Sequence, residues 1–142
     1  MRCFYEAIFY SLLDDVVENQ GELFELIADN YPNKDTNKFI IYYMNSKMRK
    51  DIDESQAYLN TMFASELWDY FQKNEHYKLE NGDSLKGFLP KWIGEFYAYY
   101  QWYYSIPSSE VLQKVPLSFL EKAYYGLHDL DLDLAVKKVG ME

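Results

Sequence analysis

Apolar side chains recur in pairs every four positions over residues 3–18: Phe4-Tyr5, Ile8-Phe9, Leu12-Leu13, Val16-Val17. That spacing predicts a helix with a broad apolar stripe, which Gly21 punctuates. A second short helix fits residues 22–30, where Leu23, Ile27 and Tyr31 stand one turn apart, and Pro32-Asn33 ends it. Asp35 or Thr36 is placed to cap a third helix, on which Phe39, Ile40, Tyr43, Met44 and Met48 share a face. Lys47, Arg49 and Lys50 fall in its last turns, where cations suit the helix dipole.

Residues 53–64 are less periodic and predict a loop. Ser65 is placed to cap a helix running to Lys73, with Leu67, Trp68 and Phe71 inward. Tyr77-Lys78-Leu79-Glu80 then alternates and is followed by Asn81-Gly82, a hairpin signal whose partner is Ser84–Phe88. The segment reads either as a small hairpin or as a loop. Pro90 suits the first turn of a helix that reaches about Ser105. Ser108 or Ser109 caps a short helix to Lys114, and Pro116 opens another that ends near Gly126. Asp129 caps a last helix through Lys138, with Gly140 past its end. The expected fold is all-α: a single compact helical domain of seven or eight helices over residues 1–142, with at most one small β-hairpin near residues 77–88.

Composition narrows the function. The chain carries 14 Lys+Arg against 23 Asp+Glu, a net charge of -9, which argues against a nucleic-acid binder. Residues 1–30 alone hold one base and seven acids. One cysteine excludes an intrachain disulfide and a cysteine-based zinc site. Cys3 reads as a small buried hydrophobe. No apolar run approaches the roughly 20 residues of a membrane span. Glu6 and Asp14-Asp15 interrupt any signal-peptide pattern, so a cytoplasmic protein with no membrane partner is expected. A Walker loop, a dinucleotide fingerprint and an HExxH motif are all missing, and no cofactor or metal is expected.

Four constellations remain. Residues 92–104 are apolar on most sides: Trp92, Phe96, Tyr99 and Tyr103 share one face, and Ile93, Tyr97, Tyr100 and Tyr104 the next, with Trp102 near Ala98 and Glu95. This is a core helix or, in part, a binding face. Aromatic residues dominate binding hot spots, and each buried hydroxyl needs a partner. The fifteen tyrosines therefore predict some at the surface. Asp129, Asp131 and Asp133 open like a calcium loop, but Leu134 and Gly140 stand where that loop needs Gly and Glu, so helix capping is the better reading. Asp14, Asp15, Glu18, Glu22, Glu25 and Asp29 form a solvated face or an electrostatic docking surface for a basic partner. Lys47-Met48-Arg49-Lys50 is a small basic patch, either an anion site or a contact with the protein's own acidic helix.

From Phe39 to Gly140 the chain resembles a family of small bacterial proteins associated with mobile elements and toxin–antitoxin-like cassettes. The residues that carry the resemblance are Tyr43-Met44-Asn45-Ser46 with Arg49, Gly87-Phe88-Leu89-Pro90-Lys91-Trp92-Ile93-Gly94 with Phe96-Tyr97-Ala98-Tyr99, and Tyr124-Tyr125-Gly126-Leu127-His128-Asp129-Leu130. It implies no catalytic residues. With the acidity and the aromatic excess, it gives the leading expectation: a protein-binding module of antitoxin or immunity type that neutralises or regulates a basic protein partner. Its expected surface is Glu22, Glu25, Asp29, Trp92, Tyr97, Tyr100, Trp102 and Tyr104. One alternative is a small-ligand protein or enzyme with a pocket at Trp92, Glu95, Tyr99 and His128. Another is a self-associating helical protein, with the surplus aromatics in a homodimer interface.

Overall fold

The computed structural model describes residues 13–54 and 62–140. Among them it contains eight helices and no strand: α1 Leu13–Asn30, α2 Thr36–Met44, α3 Lys47–Asp53, α4 Ala64–Glu75, α5 Leu89–Tyr104, α6 Ser108–Lys114, α7 Leu117–Leu127 and α8 Leu132–Val139. The all-α expectation holds. Residues 3–12 of the first stripe lie outside the described residues, as do residues 55–61 of the expected loop.

The central pair is α1 against α5, and Gly21 and Gly94 explain how closely it packs. Gly21 does not end the first helix, as its residue type suggested; α1 runs straight through it. A Cβ on Gly94 would stand 2.6 Å from the Gln20 carbonyl oxygen and 2.7 Å from the Gly21 Cα. A Cβ on Gly21 would meet the Lys91 carbonyl oxygen at 2.9 Å. The two backbones touch here, and only glycine leaves room. The intrinsic helix cost of glycine, roughly 1 kcal/mol per residue, is offset by this contact.

Other boundaries also moved. The single helix expected from Asp35 to Lys50 is two helices. Asp35 does cap α2, accepting from the Lys38 N–H at 3.0 Å. The break comes at Ser46, whose hydroxyl donates to the Tyr43 carbonyl at 2.7 Å and accepts from the Arg49 N–H at 3.1 Å. One side chain thus closes α2 and opens α3. The α4 helix starts after Phe63 rather than at Ser65, and the Glu66 carboxylate accepts the Phe63 N–H at 3.0 Å. Asp131, not Asp129, precedes α8. Pro107, not Ser108 or Ser109, precedes α6, while Pro90, Pro116 and Gly140 stand at helix ends as expected.

No hairpin forms over residues 77–88. The Asn81-Gly82 turn pairs instead with the chain ahead of α2. The Asp35 N–H donates to the Glu80 carbonyl at 2.8 Å, and the Gly82 N–H donates to the Asn33 carbonyl at 3.1 Å. Lys34 and Asn81 form an isolated antiparallel bridge. Hydrogen bonds that a hairpin would make internally are made to another segment.

Two aromatic clusters fill the interior. Phe24 of α1, Phe39 and Tyr43 of α2, and Trp68 and Phe71 of α4 meet largely edge to face, with centroids 5.4–6.3 Å apart. The second follows α5, where Trp92, Phe96 and Tyr100 succeed one another and Tyr124 of α7 packs on Trp92. No described helix is long and apolar enough to cross a membrane.

Candidate functional site

Arg49 is the largest fully buried side chain among the described residues. Its Nε donates to Gln20 Oε1 at 2.7 Å, Nη1 to Asp53 Oδ1 at 2.5 Å, and Nη2 to Gln101 Oε1 at 2.7 Å. Gln101 Nε2 donates to the same Asp53 oxygen. The Ser108 N–H at the start of α6 donates to Asp53 Oδ2 at 3.0 Å, and Gln20 Nε2 donates to the Gly94 carbonyl at 2.8 Å. The network joins α1, α3, α5 and α6, and each nitrogen of the guanidinium has a partner. The cavity beside it is about 10 Å³, room for at most one water. Arg49 is therefore structural, and the expected basic patch loses its central cation. Lys47 pairs with Asp51 at 3.0 Å.

The acidic series on α1 is a true stripe. Asp14, Glu18, Glu22, Glu25 and Asp29 follow one another at spacings of three or four residues and share one helix face. None of them makes an ion pair or hydrogen bond with a described residue. Like charges at these spacings destabilise a helix by about 0.2–0.5 kcal/mol per pair. Glu95 of α5 joins this field. Its Cγ lies over Gly21, 2.7 Å from where a Cβ would be. Burial raises the Glu95 carboxyl above its ordinary value; Lys91 opposes the shift, and Glu18, Glu25 and Glu22 reinforce it.

Glu95 also lines a cleft of about 260 Å³ with Phe88, Lys91, Trp92, Tyr124 and His128. The start of α5 forms one wall and the end of α7 the other. Tyr124 meets Trp92 edge to face at 5.4 Å, and His128 stacks on Tyr124 at 4.5 Å. His128 Nδ1 donates to the Tyr124 carbonyl at 2.8 Å, and Nε2 faces Asp129 Oδ1 at 3.3 Å. Phe88 is 76% exposed and Tyr125, beside Tyr124, 78%. The Glu95 carboxylate has no hydrogen bond or ion pair to a described residue. The Trp92 indole N–H is buried without an acceptor, a defect of about 1–3 kcal/mol.

The expected site residues divide accordingly. Glu22 and Glu25 are half-buried on the stripe and Asp29 is exposed. Trp92, Tyr97 and Tyr100 are interior, so a partner cannot dock on Tyr97 or Tyr100. Their hydroxyls reach backbone instead: Tyr97 donates to the Val115 carbonyl at 2.8 Å and Tyr100 to the Gly140 carbonyl at 2.8 Å. Trp102 and Tyr104 are half-buried toward the end of α5, where Tyr104 donates to the Val136 carbonyl at 3.3 Å. Glu95 and His128 do meet in one cleft. Tyr99 does not; it packs on Trp102 and feels the charges of Asp133 and Asp14. The sequence reading missed Phe88, Lys91 and Tyr124 as lining residues. Among the described residues no group of three His, Cys, Asp or Glu side chains is arranged to hold a metal ion.

No protein-family model, curated protein or solved structure matches the chain.

Proposed function

We propose that this protein is an acidic binding module that docks on a basic protein partner and neutralises or regulates it. The observation that carries the reading is the α1 stripe, five carboxylates without a counter-cation among the described residues, continued across the helix crossing by Glu95. The stripe repels itself, and a partner's Lys and Arg side chains would relieve that repulsion on binding. Complementary charge of this kind raises association rates and fixes orientation. The exposed rings of Phe88 and Tyr125 beside the cleft supply aromatic contact area. The antitoxin or immunity assignment rests on the resemblance over residues 39–140.

The test is affinity capture from lysate of the source cells at low and moderate salt, run in parallel with the triple variant Glu22→Lys, Glu25→Lys, Asp29→Lys. The reading expects one stoichiometric basic protein whose capture weakens with salt and is lost in the variant, with helix content unchanged. Unchanged affinity and salt dependence in the variant would sink it.

A further inference from the structure

We infer that the cleft between the start of α5 and the end of α7 receives a single lysine or arginine side chain of the partner. The inference rests on the partner-docking reading and adds the point of entry. Two observations converge. The cleft is walled by Phe88, Trp92, Tyr124 and His128 around one half-buried carboxylate, Glu95, that no described group pairs. Aromatic rings beside a carboxylate suit an organic cation, which gains from ring faces and charge together. The surrounding charge has the matching sign: Glu18, Glu22 and Glu25 act on Glu95 along with Lys91, so four carboxylates face one resident cation.

The second observation is the exit of the cleft. Of the rings that line it, Phe88, just ahead of α5, is the most exposed, at 76%. A lysine or arginine stem is apolar along its length and charged at its tip. Such a side chain covers the Phe88 ring with its methylenes while its head reaches Glu95. A volume of about 260 Å³ accommodates one long side chain and not a folded element.

The test needs no partner. The full chain is titrated with N-acetyl-lysine-N-methylamide and N-acetyl-arginine-N-methylamide, followed by the indole N–H and aromatic NMR signals, with N-acetyl-norleucine-N-methylamide as the uncharged control. The expected result is saturable shifts of Trp92, Tyr124 and His128 with the two cations and none with norleucine. Glu95→Gln should weaken the affinity up to about fivefold, and Lys91→Ala should strengthen it. Equal shifts with norleucine, or an affinity indifferent to Glu95→Gln, would overturn the inference. Binding of the cations without any captured partner would leave the cleft standing and remove the partner reading. Salt-sensitive capture without cation binding would do the reverse.

Discussion

Arg49 brings a full charge into a dry interior, and its worth depends on every partner being in place. A buried ion pair adds little over an apolar pair of the same size, but breaking it leaves an uncompensated charge. Arg49→Met would strand Asp53, which the Ser108 N–H and Gln101 alone would then hold. The expected loss is about 3–5 kcal/mol, read from urea denaturation. Adding Asp53→Asn should cost less than the sum of the single changes, because the stranded charge goes with it. Additive costs would show that the two side chains are not coupled. Little of this was legible. Arg49 sits in a Lys-Met-Arg-Lys run that reads as a solvated patch. The available signals were its i,i+4 spacing to Asp53 and the position of Gln20 between Val17 and Leu23, a polar residue inside an apolar stripe.

At the level of elements, ends set by local chemistry could be read and ends set by tertiary contact could not. Pro90 and Pro116 open helices through their fixed φ, whatever lies nearby. Gly21 and Asn81-Gly82 carry equally strong local signals, and both were overridden: Gly21 by the backbone of α5, Asn81-Gly82 by the chain before α2. The glycines can be told apart by experiment. Gly94→Ala adds a methyl 2.6 Å from the Gln20 carbonyl oxygen, and backbone on both sides cannot yield. It should destabilise the fold by about 1–3 kcal/mol, despite alanine's better helix propensity. Gly126 in α7 has nothing within 4 Å of an added Cβ, so Gly126→Ala should stabilise by up to about 1 kcal/mol. Denaturation midpoints that move the same way for both would refute the close crossing of α1 and α5.

Across the whole molecule, the tyrosines of α5 act as ties rather than as a binding face. Helix ends leave carbonyls without intrahelical donors, and Tyr97 and Tyr100 reach two of them, at Val115 after α6 and Gly140 after α8. The spacing along residues 92–104 showed that this helix was central, and the stripe on α1 was visible in the same way. The cleft was half legible: Trp92, Glu95 and His128 were in hand, but Tyr124 enters only through the packing of α7 on α5. The buried phenols predict an alkaline limit. Burial pushes the phenols of Tyr43 and Tyr100 from 10.0 up to about 12, and that of Tyr97 upward as well. Between those values the unfolded chain releases protons that the folded chain retains. Stability is then fully present below pH 10 and falls as pH rises toward 12, by about 1.4 kcal/mol per pH unit for each of Tyr43 and Tyr97 and by less for Tyr100, whose hydroxyl is partly buried and screened by solvent. Urea midpoints measured across this window check it. Tyr97→Phe leaves the Val115 carbonyl without its hydroxyl donor and should lower stability at neutral pH by about 1 kcal/mol. The same variant should flatten the alkaline slope, because one retained proton is gone. Lysine titration is common to both proteins, so an unchanged slope would mean that the Tyr97 phenol is not held neutral by the fold.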